Sequence, residues 1–293
     1  MSYQNDLRNK VNEKIIAALS KGQLPWRKPW SSARNTGHPA NSVSGKLYRG
    51  VNPLLLHLAG CNSKWWATYR QWQGLGGQVR RGERGTRITY WKPVTKTKRN
   101  GDGEEESKTF PLLREYVVFN ADQCDGVERF QVQPGDSTSA VVDFKPGEQV
   151  ITATGWDIRH VPGDKALYVR PPHDYIVLPP KQQFASGPFG MAGYYGTAFH
   201  ELLHATEHRL GWTGAYALGE LRAELGATYL AAEVGIPAPE NMENHARYLD
   251  HWLKAMRADS RVIFQIASAA SKGADFIMSF SRQAQPEEEL ASV

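Results

Sequence analysis

The pattern of apolar and polar positions divides the chain into two periodic regions separated by a stretch with little periodicity. Val11, Ile15, Ile16 and Leu19 fall on one helical face, with Gly22 and Pro25 as stops, so the spacing predicts a helix over 6–21. A short helix over Leu54–Leu58 and another over Trp66–Leu75 follow. "TRITYWKPV" alternates, is rich in β-branched residues and reads as a strand; "REYVVFN" reads as the returning strand. Between them, residues 96–108 (KTKRNGDGEEESK) contain no apolar residue and read as a mobile hairpin loop. Residues 130–150 combine Pro, Gly, Asp and Ser with little periodicity. Beyond them come two strands, "KALYVR" and "DYIVLPP", and four helices near 194–210, 215–234, 240–258 and 260–280. Gly211, Gly235 and Pro237 stand in stop positions. The expected organisation is a domain over 1–130, a linker over 131–149, a domain over 150–285 and an acidic tail over 286–293.

Composition narrows the class. The 293 residues are enough for two domains, and 41% hydrophobic against 22% charged is a globular balance. No run of about 18 apolar residues offers a membrane span. The start, MSYQNDLRNKVNEK, has no apolar core of a secretory signal. Cys61 and Cys124 form no CxxC pair, so two buried thiols in a reducing cytoplasm are expected. Charge is split between the halves. Residues 1–130 hold 22 Lys and Arg against 11 Asp and Glu, whereas residues 131–293 hold 13 against 19. Six of the nine tryptophans precede residue 92. Such asymmetry points to two parts with different partners.

The acidic half carries the clearest chemistry. In "GTAFHELLHATEH", His200 and His204 are four apart, hence about 40° and about 6 Å apart on a helix. Two imidazoles so placed can share a zinc ion, or another divalent metal in its place. Glu201, beside the first of them, is positioned as a general base towards water. His208 would stand about 12 Å and 80° from His200 on an unbroken helix. It is therefore expected at the helix end and outside the ligand set. The next helix, "GELRAELGATYLAAEVGIP", offers Glu220 and Glu224 one turn apart. One would bind the metal and the other would orient a ligand histidine. Gly226 would let the two helices approach closely.

In the basic half, aromatic residues interleave with Lys and Arg in "PWRKPW", "GKLYRGVN", "SKWWATYRQW" and "GGQVRRGERGTRITYW". That mixture suits single-stranded DNA, which offers bases to stack and phosphates to neutralise. Trp26, Trp30, Tyr48 and Trp91 are the candidate stacking platforms. Arg27, Lys28, Arg49, Arg80, Arg81, Arg84 and Arg87 are the candidate phosphate contacts. Gly76, Gly77, Gly82 and Gly85 would allow close backbone approach. Trp65, Trp66 and Trp72 are expected in the core.

The segment "HELLHATEHRL" followed by "ELRAELGATYLAAEVGIP" resembles the metallopeptidase domain of ArdC-type antirestriction proteins and, more widely, zincins that add a downstream glutamate to HExxH. The resemblance implies Glu224 as third ligand, because Ala227 lies three and Pro237 thirteen residues beyond it. It would place Gly at position 207, where this sequence has Glu. It also draws attention to Tyr248 as a group that could stabilise an oxyanion, and "DYIVLPP" is the candidate edge strand for an extended peptide. Residues 3–127, ending in "VFNADQC", resemble the N-terminal domain that ArdC shares with plasmid TraC-type primases, which binds single-stranded DNA. The implied fold class is α+β with two domains, an N-terminal α/β single-stranded-DNA-binding domain and a C-terminal zincin-like metallopeptidase domain. The implied function is that of a cytoplasmic, plasmid-encoded antirestriction protein of conjugation that binds single-stranded DNA and carries a zinc peptidase, with a host protein of the restriction system as substrate or target. The alternative is a DNA-binding protein whose metal domain is structural or blocks a partner without proteolysis.

Overall fold

The computed structural model describes residues 3–26, 33–99, 105–133, 144–185, 187, 190–237 and 243–283. Helix α1 (Tyr3–Leu19) buries Leu7, Val11, Ile15 and Leu19, a stripe with a four-residue repeat. Gly22, with φ of 72°, lets the chain turn away as a left-handed stop that a side chain would strain. There follow β1 (Ala40–Asn41), α2 (Asn52–His57), β2 (Trp65–Ala67), α3 (Tyr69–Gly74), β3 (Gln78–Val79), β4 (Thr86–Arg99), β5 (Glu105–Asn120) and β6 (Cys124–Asp125). The sheet order is β1-β2-β5-β4, with β1 parallel to β2 and the remaining pairs antiparallel.

Three local expectations are revised. Trp66 lies in β2, and the helix begins only after Thr68, whose side chain forms a reciprocal capping box with Gln71. The β4–β5 ribbon continues to the pair Arg99↔Glu105, so most of the polar segment 96–108 is paired strand. Backbone pairing and cross-strand contacts such as Thr95–Thr109 (2.9 Å) hold it despite its polarity. The expected linker contains the start of α4 (Lys145–Ala153), which buries Val150 and Ile151. The acidic tail and residues 134–143 lie outside the described residues. Cys124 is buried and Cys61 only half-buried, against the expectation of two buried thiols.

After α4 come β7 (Asp157–His160), β8 (Leu167–Val169), β9 (Tyr175–Leu178), α5 (Lys181–Ala185), α6 (Gly190–Arg209), α7 (Tyr216–Val234), α8 (Glu243–Ala258) and α9 (Val262–Gln283). In the three-stranded sheet β9 is central, parallel to β7 and antiparallel to β8. No helix among the described residues is long and apolar enough to cross a membrane.

One hydrophobic core joins the two halves. Leu7, Val11, Ile15, Leu19 and Trp26 pack in the same cluster as Phe199, Leu203, Leu230, Trp252 and Met256. Trp26 meets Trp252 edge-on at 5.9 Å, and Asn12 Nδ2 donates to the Met256 carbonyl at 2.7 Å. A second seam joins the loop after β1 to α7 and α9. Tyr229 Oη donates to Gly50 O (3.1 Å), Gly50 N donates to Ser271 Oγ (2.9 Å), and Arg49 pairs with Glu233 and Asp275. The boundary of the first domain in sequence is thus not a boundary of packing. Replacing Trp26 with Ala is expected to cost about 3–5 kcal/mol and to lower the denaturation midpoint of both halves together. Chemical denaturation followed by tryptophan fluorescence and helix circular dichroism checks this; two separated transitions in the unaltered chain would show that the halves fold independently.

Candidate metal centre

Helix α6 is buried on most sides. Tyr194, Tyr195, Ala198, Phe199, Leu202, Leu203 and Ala205 are all nearly inaccessible, which fixes the rotation of the helix about its axis. His200 and His204 remain on the partly open side, and their Nε2 atoms stand 3.1 Å apart. Helix α7 packs alongside. Gly226 and, on α9, Gly273 make room for Leu203, because a Cβ on either glycine would lie 2.5 Å from Leu203 Cδ1. The buried Arg222 ties the helices further, donating to Leu203 O (2.8 Å) and Thr206 Oγ1 (2.6 Å). Burial brings its guanidinium down to about 10.

This packing brings Glu220, rather than Glu224, to the two Nε2 atoms. The Glu220 carboxylate oxygens lie 3.5 Å from His200 Nε2 and 3.6 Å from His204 Nε2. One ligand atom from each of His200, His204 and Glu220 falls within 4.8 Å of the others. Glu224 lies one turn further along and faces the opposite ring nitrogen, 3.8 Å from His200 Nδ1. Glu207 takes the matching place on the second imidazole, accepting from His204 Nδ1 at 2.9 Å. Its other oxygen accepts from Arg170 at 2.8 Å. Two imidazoles and a carboxylate, with one outer nitrogen hydrogen-bonded to Glu207 and the other facing Glu224, form a donor set that fits a divalent metal.

The electrostatics favour a cation. Burial alone would lower the His200 pKa, but Glu220 and Glu224 outweigh it and raise it to about 10. Burial works against ionised Glu220 as well, yet His200 and His204 hold its carboxyl below the usual range. Glu207 is likewise held low, against the effect of burial, by His204 and Arg170. A metal ion and a proton compete for the same imidazole lone pairs.

Glu201 is 7% exposed, and its carboxyl is raised first by burial, with His200 and His204 as partial offsets. It accepts a hydrogen bond from the Tyr168 backbone on β8. The expected edge strand, "DYIVLPP", contains β9, which is paired on both sides and cannot accept another strand. The edge nearer Glu201 is β8. Its Tyr168 hydroxyl donates to Asp174 Oδ1 at 2.6 Å and stands 3.3 Å from His208 Nδ1, which accounts for His208 outside the ligand group. Tyr248 stacks on Trp252 and donates its hydroxyl to Tyr216 at 3.3 Å. Tyr216, which the sequence did not single out, also hydrogen-bonds Glu220.

The residues expected on DNA scatter. Trp26 is fully buried against Trp252 and has no open face for a base. Arg49 is engaged by Glu233 and Asp275 of the second half. Arg27, Lys28 and Trp30 lie outside the described residues. Tyr48 is half-buried and packs against the small cluster of Leu56, Trp66, Ile88 and Val118. Arg80 is held by Glu83 (2.9 Å), Asp125 (3.5 Å) and the Asp122 carbonyl, and Arg87 by Glu115 (2.6 Å). Arg81, Arg84 and Trp91 are exposed, with Arg8 lying over the Trp91 ring at 5.4 Å. Gly77 and Gly85 are explained by packing against Val127 and Val117, which an added Cβ would meet at 2.4 and 2.3 Å. Trp66 and Trp72 are core residues, and Trp65 is half-buried.

Residues 5–119 match the family described as the N-terminal domain of anti-restriction factor ArdC, and residues 146–270 match the family described as zincin-like metallopeptidase. Two DNA primases TraC of Escherichia coli are 35% and 37% identical over 93% of the chain, which spans only 20% and 27% of their lengths. The uncharacterized protein y4eC of Sinorhizobium fredii (strain NBRC 101917 / NGR234) is 35% identical, with 97% of this chain and 95% of that protein covered. The crystal structure of antirestriction protein ArdC from plasmid R388 in metal-free form superposes with a TM-score of 0.75 at 35% identity, covering 96% of this chain and all of that one. Its Mn(II)-bound form superposes with a TM-score of 0.73, covering 95% and 99%. The chain therefore belongs to the ArdC antirestriction family, with an ArdC-type N-terminal domain followed by a zincin-like metallopeptidase domain.

Proposed function

We propose that this protein is an antirestriction factor that binds single-stranded DNA through its N-terminal domain and hydrolyses peptide bonds at a divalent-metal centre in its C-terminal domain. The observation that carries the reading is the convergence of His200, His204 and Glu220 beside the buried Glu201. In this reading His200, His204 and Glu220 hold the metal, zinc being the ion that suits the donor set and manganese the ion named for the R388 relative. Bound there, the metal supplies Lewis-acid polarisation of a substrate carbonyl. Glu224 and Glu207 orient the two imidazoles through their outer nitrogens. Glu201, its carboxyl raised by burial and steadied by the Tyr168 amide, is placed to take a proton from the attacking water and return it to the leaving amine. The β8 edge, whose Tyr168 amide is engaged by Glu201, is the proposed side of approach for an extended peptide. Tyr216 and Tyr248 form a hydroxyl pair beside Glu220. The DNA-binding part of the reading rests on the basic, aromatic composition of the first 130 residues and on the family of that domain. The proposed domains are 1–130 and, with the expected start at 150 moved back to include α4, 145–285, with a shared core between them. A protein of the host restriction system is the proposed target, and the cytoplasm the proposed site of action.

Metal content measured by elemental analysis after dialysis is expected near one divalent ion per chain. Glu220→Ala is expected to lose it, while Glu224→Ala weakens but retains binding; metal lost from the second and retained by the first would reverse the ligand assignment. Glu207→Gln is expected to lower metal affinity by about 10- to 100-fold, read by competition with a chelating dye.

Glu201→Gln is expected to keep the metal and the DNA affinity while lowering peptide hydrolysis by about 10²- to 10⁴-fold. An antirestriction assay in recipient cells, run beside a peptide-cleavage assay, tests whether the two activities are one. Full antirestriction by a Glu201→Gln protein that retains its metal would assign the domain a binding role in place of peptide hydrolysis.

A further inference from the structure

The β4–β5 ribbon carries an exposed face that neither the metal centre nor the shared core uses. Its register sets Ile88 opposite Tyr116, Tyr90 opposite Arg114, Lys92 opposite Leu112 and Val94 opposite Phe110. Directly paired residues share a face, and side chains alternate along each strand. One face therefore collects Ile88, Tyr90, Lys92 and Val94 from β4, with Phe110, Leu112, Arg114, Tyr116 and Val118 from β5. None of these is acidic. Glu115 projects from the opposite face, where it pairs with Arg87 at 2.6 Å.

At its foot this face is covered: Ile88 and Val118 pack with Leu56 and Trp66, and Tyr48 borders them. Above that point it is open. Tyr116, Tyr90 and Phe110 are 46%, 51% and 49% exposed, an unusual concentration for large aromatic rings. Lys92 and Arg114 are exposed between them, with no carboxylate partner among the described contacts. Tyr90 and Tyr116 stand 6.1 Å apart edge to face, so each ring keeps one side free.

We propose that this face is the track on which single-stranded DNA lies, Tyr90 and Tyr116 stacking successive bases, Phe110 extending the row and Lys92 and Arg114 taking the phosphates. The inference deepens the reading of the first domain as a single-stranded-DNA binder and rests on it. Rings interleaved with cations that have no carboxylate partner among the described contacts match a polyanion with exposed bases. Duplex DNA hides those bases and gains only the charge term. The track also explains why Arg49 and Arg80 can be committed to ion pairs: neither belongs to this face. A cleft on another part of the domain, lined by Tyr69, Arg80, Arg81 and Phe119 among others, is the competing location. Its lining also includes Glu83 and Asp125, both paired with Arg80, so the two arginines are matched by two carboxylates.

The test uses the full chain and fluorescence anisotropy with a labelled oligothymidine, and with an abasic strand of the same length. The unaltered protein is expected to prefer the strand that has bases. Tyr90→Ala with Tyr116→Ala should weaken binding to oligothymidine by about 10²-fold and remove that preference, while Tyr90→Phe with Tyr116→Phe retains both. Lys92→Ala with Arg114→Ala should reduce the slope of log affinity against log salt by about 1.4, which a structural effect would not do. Tyr69→Ala should leave affinity unchanged. If the protein binds oligothymidine but the ribbon variants bind as it does, or if Tyr69→Ala abolishes binding, the track is elsewhere and this inference fails alone. If the unaltered protein binds no single-stranded DNA, the parent reading fails and takes this one with it.

Discussion

The close packing of α6 against α7 is the constraint on which the rest of the C-terminal domain depends. A glutamate side chain spans only a few ångströms, so carboxylates on one helix can meet imidazoles on another only if the axes come close. Leu203 points from α6 into the space that Gly226 and Gly273 leave open, and larger residues there would push the helices apart. Arg222 donates to a backbone carbonyl and a hydroxyl of α6 from within the interface, so a sliding movement of one helix along the other would strand a buried guanidinium. The positions of His200, His204 and Glu220 follow from this packing.

Electrostatics then act on a geometry already set. Glu201, Glu207, Glu220 and Glu224 surround two histidines, and burial makes each negative charge costly without a positive partner. Arg170 answers Glu207 from the open side. The remaining negative field centres on the paired imidazole nitrogens. Glu207 has a definite place here: it supports His204 and takes up space against Gly219, where a Cβ would lie 3.1 Å from its Oε1. A carboxylate at position 207 and a glycine at 219 therefore belong to one packing solution.

The same α7 carries the seam to the N-terminal domain at its other end. Glu220 lies in its first turns, whereas Tyr229 and Glu233 hold the loop around Arg49 and Gly50. One rigid helix thus connects the metal centre with the domain proposed to bind DNA. Arg49 fulfils a structural part in this arrangement, and Trp26 does the same between α1 and α8. Basic and aromatic composition in the first 130 residues accordingly serves two purposes, and the side chains divided between interface and exposed ribbon are alike in type.

Periodicity alone revealed the long helices, because a four-residue apolar repeat is a local property: α1, α6, α7 and α9 lie close to where the pattern places them, the first three with their glycine stops. Local spacing also brought His200, Glu201 and His204 together, since all three ride on one helix. What local spacing could not decide was the choice between Glu220 and Glu224. They repeat on the same face one turn apart, and the height at which α7 crosses α6 sets which of them comes near the Nε2 atoms. Strand order was hidden for a similar reason. The apolar run of β9 marks it as a strand, but whether β8, β7 or solvent lies beside it is a matter of long-range pairing. The polar stretch 96–108 read as a loop because backbone hydrogen bonds, which hold the ribbon there, leave no trace in side-chain hydropathy. Thus the sequence by itself determined the helices, the two halves and the histidine–glutamate motif, all of them properties of neighbours along the chain. The tertiary structure decided which carboxylate stands nearest the two Nε2 atoms, which strands lie at the sheet edges and which aromatics face solvent, because each depends on distances between segments that no spacing records.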